Sequence, residues 1–284
     1  MPPRSLRFRL VNVFAEDSRW SGNALAVLED ARDLSDVEMQ AIALQFNLSE
    51  TTFVLPSEVA TARVRIFTPS FEMPFAGHPT LGTAHVVSQL RSASDAVTLE
   101  MRAGIIPVER EGDTWTLCAN PPTFRQARST HADLAEMLGL DEGDVVRSVM
   151  WVDTGSDQLV VPLGSREAVE RCQPNPELLA RHGSNATRQS LAYVWAQDVD
   201  GQVVARFFFL KHGAVIEDPG TGSACANLGG WHLATKARLP IDLVVRQGEK
   251  TGRRCRLRLR VDAAQHIFVS GRVVEIGRGE LDAG

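Results

Sequence analysis

Residues 216–230, IEDPGTGSACANLGG, place two acids and a proline directly before Gly-Thr-Gly-Ser and a run of small residues. Carboxylates can take up and return protons, and the free N–H groups at the start of a helix stabilise negative charge. The stretch therefore indicates acid–base chemistry on an anionic substrate, with Asp218 and Ser223 as candidate residues. Nucleotide binding is disfavoured, because no Lys-Ser/Thr follows Gly222 and Cys225 stands where a dinucleotide fingerprint has its third glycine.

A related stretch, FEMPFAGHPTLGTAH, occupies residues 71–85, which is 145 residues earlier in the chain. At this offset an acid, a proline, a glycine and a polar residue correspond: Glu72 with Glu217, Pro74 with Pro219, Gly77 with Gly222, and His78 with Ser223. Each copy follows a strand-like segment with aromatic residues and precedes small residues of helical character. The offset is about half the chain, so the sequence predicts two similar halves.

The matched residues suggest how the two helices begin. Proline suits the first helical position because its missing N–H has no partner there, so we expect His78 to be the N-cap of the first helix. Serine is a favoured cap, so we expect Ser223 to cap the second. Each helix would then direct N–H groups and the positive end of its dipole at a carboxylate or an enolate. The alternatives are that His78 and Ser223 only cap helices and that Asp218 is a turn residue before Pro219.

The flanking segments predict the elements that position these residues. Ser35 and Glu38 form a capping box before a helical pattern that should end near Asn47, and the β-branched segment SETTFVLP then starts a strand at Glu50. Glu50 is a second candidate acid, although a solvated acid at a strand end is the alternative. Short strands with one longer helix per half predict an α+β protein.

Length and composition limit the remaining possibilities. A chain of 284 residues is near the length at which one core divides into two, and the proline-rich segment CANPPTFRQ divides it into predicted domains 1–120 and 121–284. A net charge of −5 gives no footprint for nucleic acid, and the basic segment RRCRLRLR alternates as a half-buried strand does. No run of 18 apolar residues and no signal peptide occurs, so we expect a cytoplasmic protein without membrane contact.

Four motifs, GNALAV, NLSETTFV, FTPSFEMPFAGHPTLGTAHVV and EDPGTGSA, occur in this order along the chain. With these motifs the sequence resembles the phenazine biosynthesis isomerase family (PhzF-like), which is related to diaminopimelate epimerases. The resemblance implies two pseudo-symmetric domains, each a curled mixed sheet around a central helix, with the active site between them and the last strand able to return to the first domain. It also implies a homodimer that needs no metal and no organic cofactor.

The same resemblance implies the roles of the candidate residues. The family's general base corresponds to Glu50, and its other catalytic residues correspond to His78, Asp218 and Ser223. The glycine motifs that contain Gly77, Gly222 and Thr221 would bind the substrate. The expected activity is an isomerisation that moves a proton on a small carboxylated, cyclic or unsaturated metabolite. The alternatives are a lyase that begins with the same proton abstraction and a non-catalytic ligand binder on the same fold.

One position departs from the family pattern. Many relatives carry cysteine immediately before the Gly-His pair, whereas this chain has Ala76. Epimerases of the wider group use two facing thiols, but the residue that matches Ala76 at the offset of 145 is Thr221, and Cys225 matches Thr80. A two-cysteine racemase is therefore disfavoured. The four cysteines also lack the clustered spacing of a zinc site or a disulfide framework.

Overall fold

The computed structural model describes residues 5–92 and 95–282. The chain forms two compact units: residues up to Cys118 together with those from Ser270 onward, and Ala119–Val269. Within the described ranges no helix combines the length and the hydropathy that a membrane-spanning helix requires.

The elements of the first unit, in chain order, are β1 (Ser5–Val13), β2 (Asn23–Leu28), α1 (Asp36–Phe46), β3 (Glu50–Leu55), β4 (Ala62–Phe67), β5 (Glu72–Met73), α2 (Gly77–Leu90), β6 (Ala96–Met101), β7 (Gly104–Glu111) and β8 (Thr114–Cys118). Those of the second unit are β9 (Thr123–Gln126), α3 (His131–Leu138), a 3₁₀ turn (Glu142–Asp144), β10 (Met150–Asp153), β11 (Asp157–Pro162), α4 (Arg166–Arg171), α5 (Pro176–His182), β12 (Leu191–Gln197), β13 (Val203–Lys211), β14 (Ala214–Asp218), α6 (Gly222–Ala234), β15 (Ile241–Gln247) and β16 (Cys255–Val261). The last strand, β17 (Ile267–Asp282), contains the boundary between the units.

The first unit is a mixed sheet whose strand order can be followed from β1. Strand β1 pairs antiparallel with β2, and β2 pairs parallel with β3 across α1. Strand β3 is antiparallel to β4, which pairs parallel with β6 across β5 and α2, and β6, β7 and β8 form an antiparallel meander. The final part of β17 returns to this unit and pairs antiparallel with β1, from Val273 to Asp282.

The second unit repeats this strand order. Strand β10 is antiparallel to β11, which pairs parallel with β12 across α4 and α5. Strand β12 is antiparallel to β13, which pairs parallel with β15 across β14 and α6, and β15 is antiparallel to β16. Helices α2 and α6 begin at Gly77 and Gly222, which are the residues matched by the offset in the sequence. The predicted α+β fold of two pseudo-symmetric halves is confirmed.

Each unit encloses one helix within its curled sheet. Helix α2 contacts β1–β4 and β6–β8, and helix α6 contacts β9, β10, β11 and β16. A Cβ atom at Gly82 would lie 2.6 Å from Leu25 Cδ2, and one at Gly229 would lie 2.8 Å from Ile267 Cγ2. Such separations are too short for any larger side chain, so these glycines allow the strands to approach the helices closely.

Several local predictions are confirmed. Ser35 and Glu38 form both hydrogen bonds of the capping box, and α1 ends at Asn47 in a left-handed conformation with φ of 50°. Strand β3 begins at Glu50, as its β-branched residues predicted. The basic segment forms β16, in which buried and exposed residues alternate along the whole strand. Its arginines therefore lie on one exposed face.

The predicted caps of the two central helices are wrong. The N-cap of α2 is Ala76 rather than His78, and the N-cap of α6 is Thr221 rather than Ser223. The Thr80 N–H donates to the Ala76 carbonyl at 3.2 Å, so the first helical turn already includes Gly77. Pro79 is the third helical residue, where its missing N–H still lacks an intrahelical partner and therefore costs nothing. The Gly-His and Gly-Ser pairs lie inside the first turn of their helices.

Matched arginine–glutamate pairs join the strands that precede these helices. In the first unit Arg65 of β4 donates to both carboxylate oxygens of Glu72 on β5, at 2.8 and 2.7 Å. In the second unit Arg206 of β13 donates to both oxygens of Glu217 on β14, at 3.1 and 2.7 Å. Glu72 and Glu217 are the acids matched by the offset of 145 residues. Their role in both units is to pair two strands.

The Arg65–Glu72 pair predicts a pH-dependent stability. Hydrogen bonding by the Arg65 guanidinium lowers the pKa of the Glu72 carboxyl below its usual value. A lowered folded-state pKa contributes stability above the unfolded pKa of about 4.3, and that stability is lost as the pH falls through the folded pKa. Glu72→Gln should therefore lower the free energy of unfolding at pH 7 by about 1–3 kcal/mol, between the ranges for exposed and buried ion pairs.

Urea unfolding monitored by circular dichroism from pH 7 to pH 3 measures this difference. The difference in free energy of unfolding between the wild type and Glu72→Gln should narrow below about pH 4, where the wild-type carboxyl begins to take up a proton. Glu109→Gln, at an exposed position of β7, is the matched control and should change stability little at any pH. A difference for Glu72→Gln that stays constant across this range would show that the charge of Glu72 is not what stabilises the unit.

Candidate active site

The first unit brings Glu50 and His78 together. Glu50 is the first residue of β3, and His78 is the second residue of α2. The Nδ1 atom of His78 lies 3.4 Å from Oε2 of Glu50, and the two side chains are 5% and 16% exposed. A carboxylate and an imidazole are both suited to proton transfer near neutral pH. The structure thus places the predicted base beside the imidazole of His78.

Buried threonines hold these two elements in register. The residues after Glu50, Thr51 and Thr52, are almost fully buried. The Thr52 and Thr83 hydroxyl groups form a hydrogen bond of 2.8 Å, which joins β3 to α2. This bond lies two residues from Glu50 and five residues from His78 along the chain. It therefore restricts the movement of the strand and helix that carry the pair.

The second unit brings Asp218, Thr221 and Ser223 together at the start of α6. Asp218 is the last residue of β14 and is 8% exposed. The Thr221 hydroxyl donates to Oδ2 of Asp218 at 2.5 Å. The Gln247 side-chain amide donates to the Asp218 carbonyl and to Thr221 Oγ1, both at 2.9 Å. Gln247 therefore orients the Thr221 hydroxyl so that its proton is directed at the carboxylate.

The turn after Gln247 also supports this loop. Gly248 has a φ of 81°, and a Cβ atom there would lie 2.4 Å from the Pro219 carbonyl oxygen and 2.2 Å from that of Arg253. Only glycine fits both the left-handed conformation and the short separation. The backbone of the turn after β15 thus contacts the Asp-Pro segment directly.

Ser223 is the second residue of α6, and its hydroxyl oxygen accepts a hydrogen bond of 2.9 Å from the Gln158 side chain on β11. Gly77 and Gly222, the predicted substrate-binding glycines, are the buried first residues of α2 and α6. Neither helix receives a capping hydrogen bond from its N-cap side chain. The first backbone N–H groups of each helix are thus not capped by the preceding side chain.

The two adjacent acids of the 216–230 stretch have different surroundings. Glu217 pairs with Arg206 of the neighbouring strand, whereas Asp218 accepts from Thr221. Successive side chains of a strand point to opposite faces, which separates the two carboxylates. Glu217 is therefore a structural acid, and Asp218 is the acid beside the helix start.

A model of the phenazine biosynthesis-like protein family (PhzC-PhzF) matches residues 11–279. The chain belongs to this family. Its curated relatives include an uncharacterized isomerase of Pasteurella multocida, 40% identical over 96% of this chain and 93% of the relative. The trans-2,3-dihydro-3-hydroxyanthranilate isomerase of Pseudomonas aeruginosa is 34% identical over 91% of each chain. The family and the isomerase class predicted from the sequence are confirmed.

Solved structures of the PhzC-PhzF family share the fold. The Bacillus anthracis phenazine biosynthesis protein of the PhzF family matches with a TM-score of 0.85 and 25% identity, over 98% of this chain and 99% of that chain. A hydroxyproline epimerase from Agrobacterium vitis matches with a TM-score of 0.69 and 12% identity, over 99% and 93%. The second likeness shows the fold alone, and it confirms the predicted epimerase-like fold.

The sequence did not point to four residues that support these clusters, namely Gln158, Asn227, Gln247 and Gly248. Three of them are buried amides, whose partners lie far away in the sequence and become evident only from the strand pairing. Gly248 carried a weak signal, because the segment RQGEK has a turn glycine after a strand pattern.

The cysteines of this family member lie away from a reactive environment. Cys225, on the first turns of α6, is fully buried, and burial raises the pKa of its thiol. Burial also raises the pKa of the Cys172 thiol to about 12. Cys255 is buried as well, whereas Cys118 is partly exposed, and none of the four forms a disulfide bond. A thiol that stays protonated and shielded is a poor nucleophile and a poor base.

The difference in burial predicts an order of thiol reactivity. Iodoacetamide at pH 8 should modify Cys118 first and leave Cys172, Cys225 and Cys255 unmodified in the folded protein. Peptide mass spectrometry before and after addition of urea measures the modified sites, and the unfolded chain is the control because all four cysteines should then react. Rapid modification of Cys225 in the folded protein would contradict its shielded position and reopen the thiol mechanism.

Proposed function

We propose that this isomerase moves a proton on a small carboxylated, cyclic or unsaturated metabolite by acid–base catalysis with its own side chains. Glu50 takes a proton from a substrate carbon, and Asp218 and His78 return a proton at another position of the conjugated system. Ser223 and the first N–H groups of the helices bind the negative charge of the substrate.

The observation that carries this proposal is the Glu50–His78 pair at the start of β3 and α2. A base for a carbon acid must be close to the reacting carbon and shielded from bulk water, and the Glu50 side chain is 16% exposed. When it removes a proton, the electron pair of the C–H bond enters the conjugated system as an enolate-like charge. Preorganised N–H and O–H donors can stabilise that charge, and protonation at a second carbon completes the isomerisation.

The name of the Pseudomonas aeruginosa relative supports the substrate class. It describes a dihydro ring that carries a carboxylate and a hydroxyl group, and such a ring provides both an acidic C–H bond and a conjugated system. We therefore propose a ring carboxylate of this kind as the first compound to test. The homodimer implied by the resemblance stays a prediction, which light scattering at several protein concentrations tests.

Replacement of the base should stop the exchange of substrate protons. Glu50→Gln keeps the size of the side chain and removes its basicity, so turnover should fall by about 10²–10⁴-fold while the variant still binds ligand. NMR of trans-2,3-dihydro-3-hydroxyanthranilate and other unsaturated ring carboxylates in heavy water measures deuterium uptake. Glu58→Gln, at an exposed position of the same unit, is the control and should exchange at the wild-type rate.

Each outcome of this experiment has a distinct meaning. Exchange at the wild-type rate in Glu50→Gln would remove Glu50 from the mechanism. Absence of exchange with the wild-type protein across the whole panel would instead favour a ligand binder on the same fold. Exchange followed by loss of a substituent would identify the reaction as an elimination.

The two adjacent acids allow a second test with a closely matched control. Asp218→Asn should lower turnover by about 10²-fold or more, because it removes a proton-transfer group next to α6. Glu217→Gln should leave the rate within about threefold of wild type and lower stability, because it weakens only the pair with Arg206. Rates from product formation and unfolding curves from urea measure both effects. Equal loss of activity in the two variants would indicate a general disturbance of the loop rather than a specific role for Asp218.

A further inference from the structure

A chain of buried hydrogen bonds leads from the turn between β10 and β11 to Ser223. Its first member is Thr154, whose backbone N–H donates to Oδ1 of Asn227 at 3.0 Å. The Thr154 hydroxyl donates to the same oxygen at 2.7 Å. A backbone N–H can only donate, so the atom of Asn227 that faces Thr154 must be the oxygen. The amide nitrogen of Asn227 therefore faces the opposite direction.

The orientation of Asn227 determines the orientation of Gln158. The Asn227 amide nitrogen donates to the Ser156 carbonyl and to Oε1 of Gln158, both at 2.8 Å. Gln158 thus has its oxygen towards Asn227 and its nitrogen towards α6. That nitrogen donates to Ser223 Oγ at 2.9 Å and approaches Ser156 Oγ at 3.3 Å.

Burial makes this orientation difficult to reverse. Thr154 and Gln158 are each 2% exposed, and Asn227 is fully buried. If either amide were rotated by a half turn, two oxygen atoms or two N–H groups would face each other without water to separate them. Such buried unpaired groups are costly, so this series of hydrogen bonds has one stable direction.

The direction of these hydrogen bonds determines whether the Ser223 hydroxyl donates or accepts. A serine hydroxyl can donate or accept, but Ser223 already accepts from Gln158. Among the described residues, the Ser223 hydroxyl donates no hydrogen bond to another protein group. The proton is therefore available to a group outside the protein, and an anionic oxygen is the acceptor that forms the strongest such bond.

We propose that Asn227 and Gln158 are positioning residues that fix Ser223 as a hydrogen-bond donor to an anionic oxygen of the substrate. This inference rests on the proposed function in one respect, namely that Ser223 contacts the substrate. The fixed donor removes the need for the hydroxyl to reorient when negative charge arrives, which is the condition for efficient electrostatic stabilisation.

A double-mutant cycle between Ser223→Ala and Asn227→Asp tests the proposal. In Asn227→Asp an ionised carboxylate can only accept, so the Gln158 amide should turn its nitrogen towards residue 227 and its oxygen towards Ser223. The Ser223 proton would then be donated to Gln158 and lost to the ligand. The probe is 3-hydroxyanthranilate, a stable aromatic ring carboxylate, and isothermal titration calorimetry at pH 7.5 measures its affinity.

We expect Ser223→Ala to weaken binding of the probe about tenfold or more in the wild-type background. In the Asn227→Asp background the same replacement should change the affinity by less than about twofold, because the donor is already lost. Asn120→Asp adds the same charge at an exposed position of the same unit, and in this control background the effect of Ser223→Ala should be as large as in wild type. An equally large effect in the Asn227→Asp background while the new carboxyl is ionised, as its infrared band shows, or no effect in wild type, would overturn the proposal.

A second measurement tests the orientation without ligand and without a variant. NMR of the wild-type protein should show nuclear Overhauser contacts between the Gln158 side-chain amide protons and the β-protons of Ser223. If the Gln158 amide protons instead showed contacts to residue 227 and none to Ser223, the hydrogen bonds would run in the opposite direction. That result would overturn the proposal. Neither measurement involves turnover, so failure of Glu50 as a base leaves this result unaffected. A probe that fails to bind wild type would contradict the proposed substrate class, and the amide contacts would still decide the orientation.

Discussion

A helix enclosed by a curled sheet can meet water and external ligands only at its ends. Helices α2 and α6 are buried along most of their length, and Gly82 and Gly229 allow the strands to approach their sides. Any polar side chain along these helices needs a partner inside the unit, because no water can reach it. The starts of the helices, which no N-cap side chain closes, are where chemistry is possible. Glu50 and His78 lie at one such start, and Asp218 and Ser223 lie at the other.

The acids of the protein fall into two groups according to what holds them. Glu72 and Glu217 each accept two hydrogen bonds from an arginine, and these pairs join strands in both units. A bidentate guanidinium stabilises the ionised carboxylate strongly and so removes its usefulness as a base. Asp218 instead accepts from a neutral threonine hydroxyl, and Glu50 lies near an imidazole. Neutral or titratable partners position a carboxylate while allowing it to exchange protons.

Sequence patterns predicted the elements that depend on neighbouring residues. The capping box of α1, the start of β3 at Glu50 and the alternating strand β16 follow from local hydrogen bonds and from the period of burial. The starts of α2 and α6 were misplaced by two residues, because Pro79 tolerates more than one position in the first turn. The short helix α4 (Arg166–Arg171) was not predicted, since six residues carry too little periodicity. The buried amides could not be predicted, because Gln158 on β11 and Gln247 on β15 are distant in the sequence from the residues around α6 that they contact in the folded unit.

The repeat also shows how two similar halves come to do different work. At the offset of 145 residues Gly82 of α2 corresponds to Asn227 of α6. Glycine at this position lets the strands that carry Val13 and Leu25 pack against the helix, whereas asparagine fills the space and orients Gln158. A side chain at position 82 would have to displace Leu25 and Val13, so α2 has no room there for an equivalent of Asn227. An isomerisation needs a base at one point and a stabilised charge at another, and this single difference in packing allows the second helix alone to carry the buried amide chain that supports a fixed donor.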